Sequence, residues 1–416
     1  MKRDSRLVRH LSAALLTLAV VGLGWAILAA PVRADDWPQW RGPQHTGVSA
    51  EKGWSTDWPK EGPKVLWKAE VGKGYSAFSI AGGKAYTMGW ADGKDSVWCL
   101  DAAGGKVLWQ HPYPCDEGKG KYPGPRCSPT VDGQLVYTVS REGHLFCLDA
   151  EKGEVKWAKD LRKDFKAKVP EKAWWGFACS PLVVGDKLVI DGGPAIALNK
   201  TTGEKVWVAG EDDVGYSSPQ DFKLGDATCL AFFNAAGLVI RNAADGKEIG
   251  RQEWKTAWDV NAATPIVSGD QVFISSGYGV GAALFQVSAT GLKEIWKNKR
   301  MRNQTNSSVL LDGFLYGFDG QVSEGPLACV DVKTGERKWS EDSLHMGGLM
   351  IADGKIIALG NTGDLVVAEA SAAGFKPLAR AKVLGETCWT MPVLANGLIY
   401  ARNEKGNAVC LDVKGK

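Results

Sequence analysis

Apolar and polar residues alternate in short runs along most of this chain, and the runs return in a fixed order. Residues 135–139 read Leu-Val-Tyr-Thr-Val, a β-branched and aromatic run. Ser128, Pro129, Thr130 and Val131 lead into it through an Asp132-Gly133 turn. A polar turn at Arg141, Glu142 and Gly143 precedes the next run, residues 145–149. Asp-Gly between alternating apolar runs is a strong hairpin signal. Similar turns fall at Gly82-Gly83, Gly185-Asp186, Gly269-Asp270, Asp312-Gly313, Asp353-Gly354 and Asn396-Gly397. Strands joined by tight turns are therefore predicted throughout.

The runs belong to a repeat. Residues 97–109 read Val-Trp-Cys-Leu-Asp-Ala-Ala-Gly-Gly-Lys-Val-Leu-Trp, and residues 145–157 read Leu-Phe-Cys-Leu-Asp-Ala-Glu-Lys-Gly-Glu-Val-Lys-Trp. Weaker copies end at Trp207, Trp254 and Trp296, a strong one spans 327–339, and a copy at 365–378 has lost its Trp. From Trp67 the successive tryptophans lie 42, 48, 50, 47, 42 and 43 residues apart. That period suits four short strands and their turns, one blade of a propeller. The last copy stops before its final strand, and the missing piece stands at the other end as Lys64-Val65-Leu66-Trp67. The expected fold is all-β: an eight-bladed β-propeller of four-stranded antiparallel blades, closed by an N-terminal strand that completes the last blade. Closure removes the unpaired edges that an open ring would expose.

Composition agrees with this picture and charge refines it. The 416 residues include 51 Gly and 18 Trp, as many turns and repeated aromatic packing require. A hydrophobic content of 44% and a charged content of 23% describe a folded chain and exclude disorder. The net charge of +3 could suggest a nucleic-acid partner, but residues 1–34 hold five basic residues against Asp4. The remaining residues carry 45 basic and 46 acidic groups, so no nucleic-acid partner is expected. The basic head, the uncharged stretch 11–32 and the small-x-small site Val32-Arg33-Ala34 make an export signal. It is either cut or kept as a membrane anchor, and Gly22, Gly24 and Pro31 favour cutting. The layout read from the sequence is thus a signal peptide at 1–34, a Trp- and Pro-rich arm at 35–63 and a propeller at 64–416. A periplasmic or secreted, monomeric protein is expected, touching a membrane only if residues 1–34 stay attached.

The segments Ala102 to Trp109, Ala150 to Trp157, Lys200 to Trp207 and Val332 to Trp339 follow the spacing A-x-x-G-x-x-x-W. In this the chain resembles the pyrroloquinoline-quinone-type β-propeller repeat family, within the quinoprotein alcohol dehydrogenase-like superfamily. The resemblance covers nearly all of the chain after residue 34, and the opening Asp36-Trp37-Pro38-Gln39-Trp40-Arg41-Gly42-Pro43 is similar to that of exported bacterial members. It implies that Trp67, Trp109, Trp157, Trp207, Trp296 and Trp339 dock against the neighbouring blade. Blades four and seven depart from the pattern.

The resemblance raises two functions. One is a quinone-dependent oxidoreductase using pyrroloquinoline quinone with calcium. Enzymes of that kind carry adjacent cysteines, a Glu, Asn and Asp calcium set or a C-x-x-C-H haem motif; here no two cysteines are neighbours, C-x-x-C-H is absent, and Asp259 with Asn261 is only a scattered calcium candidate. The other, preferred, is a noncatalytic exported propeller that serves as a protein-interaction scaffold or binds a small ligand at the channel mouth, with no cofactor and no metal. The outer-membrane assembly lipoproteins form such a branch and share the blade repeat, but carry a lipobox; here no Cys occurs before Cys99. The five His have no paired ligand spacing, and Gly277-Tyr278-Gly279-Val280-Gly281 lies between strands, so it reads as a loop. Of nine Cys, Cys99, Cys147, Cys329 and Cys410 share one repeat position and read as small core residues. Cys115 and Cys127 flank one inter-blade connection, where a disulfide is open but not favoured.

Propeller geometry sends the connections before the inner strands to one mouth of the channel. There they are longer and more varied than the turns on the other face. These connections supply the candidate ligand-binding residues Arg126, Trp174, Trp175, Tyr216, Trp258, Asp259, Asn261, Arg302, Asn306 and Trp389. Aromatics beside Arg, Asp and Asn suit a planar or sugar-like ligand. Space-filling between blades would equally account for any single aromatic. Trp174 and Trp175 follow the longest connection, 158–173, which reads as a short helix or lid. The sequence leaves open whether the N-terminal arm fills the mouth.

Overall fold

A computed structural model describes residues 36–118, 122–170, 175–321 and 324–415. The predicted export signal at 1–34 and Trp174 lie outside them. Eight antiparallel blades succeed one another around a ring. Blade 1 comprises Ser79–Ala81, Lys84–Ala91, Lys94–Asp101 and Val107–Pro114. Blades 2 to 7 occupy 130–160, 182–209, 220–253, 266–298, 309–341 and 347–382. The inner strands are short, mostly three residues, and the turns that follow them use residues at positive φ, such as Gly133 at 59° and Asn396 at 57°.

The ring closes as the sequence requires. Lys64–Glu70 pairs antiparallel with Asn407–Asp412 and becomes the outer strand of blade 8. A single helix, Leu161–Phe165, interrupts the strands among the described residues; Asp160 caps it by accepting from the Arg162 and Lys163 N–H groups. It sits in the connection where the sequence predicts a helix or lid.

Docking between blades follows one geometry. The indole Nε1–H of Trp109 donates to the Ala150 carbonyl at 3.0 Å, and Trp67 does the same to Ala102. Trp157, Trp207, Trp296 and Trp339 reach Lys200, Ala243, Val332 and Ser371. In five of these six seams the glycine three residues after the acceptor packs on the indole, and a Cβ on Gly153 would stand 2.6 Å from Trp109; at Trp339 the corresponding Gly374 has open space. In the repeat, therefore, the Ala position supplies a backbone carbonyl whatever its side chain, Gly supplies clearance and Trp reaches onward to the next blade. In four blades a Tyr and a Cys lie across the strands from this Trp, as in Tyr86, Cys99 and Trp109. All nine Cys are buried free thiols, Cys115 and Cys127 included.

Two seams differ. In blade 4 the register puts Gly250, not Trp254, opposite Ile240 at the docking position. Trp254 lies four residues on, buried under the Lys297 ammonium, and does not end a repeat as the sequence count implied. In blade 7 Ala379 takes the docking position. The N-terminal arm occupies that seam: Trp54 is buried there, and the Ser55 N–H donates at 2.7 Å to the Val413 carbonyl. Val413 is blade 8's counterpart of Ala102, since each N–H bonds back to the first turn of its own blade, at Gly397 and Gly83.

Candidate functional site

The arm also enters the central channel. Asp36 anchors it at the tight-turn face, accepting from the Gly82 N–H and the Asn396 amide. Trp37 then bridges to Ile80 on the inner strand of blade 1. The chain turns around Arg41, whose guanidinium donates to the carbonyls of His45, Thr46 and Ser308. It returns as Val48–Ser49, parallel to Ile351 and Ala352, a fifth strand on the inner edge of blade 7. The channel is thus plugged from the tight-turn face. The question left open by the sequence has a double answer: the arm fills the channel and leaves a pocket at the other mouth.

That pocket encloses about 150 Å³. Trp40 of the arm is part of its lining, its indole N–H fixed by the Thr264 hydroxyl at 2.9 Å. Tyr75, Tyr122, Trp175, Tyr216, Tyr278 and Trp389 form the aromatic walls. Tyr75 stacks on Trp389 at 5.7 Å, with the planes 24° apart. The Trp389 indole is held by Asn361 at 2.7 Å, and the Tyr75 hydroxyl by Glu404 at 3.0 Å. Burial, then the Glu404 carboxylate, pushes the Tyr75 phenol well above its usual range, so it stays protonated. Tyr122 and Tyr278 have φ of 71° and 56°, a left-handed backbone that costs about 1–3 kcal/mol for residues with a side chain.

Arg126 supplies the charge. Its guanidinium lies 5.5 Å from the Tyr75 ring and donates to the carbonyls of Gly124, Trp175 and Tyr122. Among the described residues it has no carboxylate partner. Burial lowers its pKa to about 10, with Arg141 adding to the effect, so it remains charged at neutral pH.

Of the ten candidates, Arg126, Trp175, Tyr216, Asn306 and Trp389 come together on this pocket. Trp174 lies outside the described residues. The other four do not line it. Asn261 is fully buried and spent on structure: its amide donates to Asn234 and Trp254 carbonyls, and its oxygen accepts from Ser276. Arg302 pairs with Asp319 at 2.7 Å, beside Arg337. Trp258 and Asp259 stay on the rim, Trp258 exposed to 45%. Sequence reasoning missed Trp40, Tyr122 and Tyr278. Tyr75 stands in the connection before the inner strand of blade 1, and Tyr278 in the loop at 277–281.

The small polar residues at the inner-strand starts hold the ring together, as crowding there demands. The Ser128 N–H donates to Ser180 Oγ, Ser180 N–H to Ser218 Oγ and Thr264 N–H to Ser307 Oγ, each linking adjacent blades.

A calcium-held quinone does not fit these residues. Asn261 is fully buried with its oxygen bonded to Ser276, and no group of three or more His, Cys, Asp or Glu converges among the described residues.

Eight four-stranded blades, seams docked by Trp on a carbonyl and a glycine, and a pocket at one mouth define a quinoprotein-type β-propeller. A family model described as outer membrane protein assembly factor BamB matches residues 93–341, and the chain belongs to that family. BamB of Burkholderia pseudomallei is 27% identical over 363 residues, 82% of this chain and 86% of that protein. BamB of Moranella endobia is 24% identical, covering 72% and 78%. The crystal structure of BamB from Moraxella catarrhalis superposes with a TM-score of 0.61 at 16% identity, covering 84% of this chain and 99% of that one. Quinohemoprotein alcohol dehydrogenase from Comamonas testosteroni gives 0.67 at 13% identity, covering 92% and 81%, a likeness of fold alone.

Proposed function

We propose that this chain is a noncatalytic exported propeller that works as a protein-interaction scaffold in outer membrane protein assembly. The match to the BamB family over most of the blades carries this reading. The expected export signal and periplasmic location agree with it. The rim supplies a contact surface. Apart from Trp258, the large exposed apolar residues lie on outer strands, such as Val107, Leu108, Val206 and Val208. Trp258 stands instead on the connection before the inner strand of blade 5, beside the pocket-lining Val260. An exposed tryptophan at a rim is the residue type that dominates binding energy at interfaces. Partner engagement through this face makes the pocket-side connections the working surface and the tight turns the back.

Deleting the gene should lower the amounts of outer membrane β-barrel proteins at least about two-fold. The native chain should restore them, and Trp258→Glu, exported in equal amount, should not. Unchanged β-barrel protein levels in the deletion strain would sink the assembly reading.

A further inference from the structure

The pocket carries more than a scaffold needs. Its volume, about 150 Å³, matches the engineered apolar cavities that accept one benzene ring. Its walls are aromatic on several sides, and one charged group, Arg126, faces it. A guanidinium has five N–H donors, and three bonds to carbonyls occupy Arg126, leaving two. A half-buried cation with no carboxylate partner among the described residues gains a charge-assisted hydrogen bond when an anion arrives beside it.

We propose that this pocket binds a small single-ring aromatic carboxylate, the ring against Tyr75, Trp389 and Trp40, and the carboxylate on the free donors of Arg126. Offset stacking on the aromatic walls selects a flat ring, and the guanidinium fork selects a carboxylate. The assignment goes beyond the scaffold reading and does not depend on it.

Calorimetric titration of the purified full chain tests it, with benzoate as the probe. Benzoate should bind saturably, and benzyl alcohol, which keeps the ring, and acetate, which keeps the carboxylate, should each bind at least about ten-fold more weakly. Arg126→Gln should weaken benzoate at least about ten-fold. Trp389→Leu removes the stacking wall that packs on Tyr75 and should weaken benzoate about three-fold; it decides the matter if Arg126→Gln fails to fold. No saturable binding up to about 10 mM, equal binding of benzyl alcohol, or affinity unmoved by the folded variants overturns the assignment. Tighter binding of a tricyclic quinone carboxylate than of benzoate overturns the single-ring size argument. Because the readout is binding by the isolated chain, these results stand apart from β-barrel protein levels in cells.

Discussion

Trp109 shows how much one side chain settles in this fold. Its indole fills the seam to blade 2, its N–H holds the Ala150 carbonyl, and Gly153 lies against its face. Tyr86 donates to the same carbonyl at 3.2 Å, so the seam has two donors on one acceptor. Trp109→Leu should destabilise the protein by about 3 kcal/mol in urea unfolding, through lost volume and a lost hydrogen bond. Gly153→Ala should cost about 2 kcal/mol, because φ is +71° and the new methyl meets the ring. Asp191 gives a pH signature. It is buried, and desolvation raises its pKa to about 7 against the opposing pull of the Gly193 and Gly215 N–H groups. Cys179, which accepts from the Asp191 N–H, is itself pushed well above the usual thiol range by burial. A carboxyl whose folded pKa is raised stabilises the fold while protonated and loses that contribution as pH rises from about 4 to about 7. Stability should therefore fall across this window by about 4 kcal/mol from this group, and Asp191→Asn should flatten the fall. An unfolding series from pH 4 to pH 8 on both proteins checks it. At this scale the sequence was legible where a side chain acts within its own repeat, as with the docking tryptophans and the core cysteines. It was silent where geometry spends a side chain, as with Asn261, whose amide and oxygen are used up by three neighbours.

Among the elements, the arm is the one about which sequence periodicity said least. Its Trp and Pro content gave no path, because its partners are scattered along the chain from Ile80 to Val413. Blade 7 has Ala379 where other blades carry the docking Trp, and the arm brings Trp54 and the Ser55 N–H to that seam. Ser55→Pro removes the donor to Val413, and Trp54→Ala empties the space; either should speed hydrogen exchange in the blade 8 strands while leaving blades 2 and 3 unchanged. Uniform exchange across all blades would contradict this role for the arm. Blade 4 shows the opposite difficulty. Trp254 preserves the spacing of the repeat, yet strand register puts Gly250 at the docking position, and only the pairing with Ile240 reveals it. Spacing alone cannot separate a tryptophan from a position four residues earlier when both follow the same turn.

For the whole molecule, the eight-bladed ring and its closure were read from two fragments at opposite ends of the chain. Lys64–Glu70 pairs with Asn407–Asp412 as that reading required. What the sequence could not give is the polarity the arm imposes. It plugs the channel from the tight-turn face, contributes Trp40 to the pocket lining and leaves the pocket at the mouth formed by the long connections. The two faces are thus unlike, and under the scaffold proposal partners meet only the pocket-side one. A photoreactive residue placed at position 258 on the mouth rim, and another at position 270 on the exposed tight turn of the same blade, test this in living cells. The account predicts a discrete crosslinked protein from position 258 and none from position 270. Crosslinking from 270 alone, or from neither position, would contradict it.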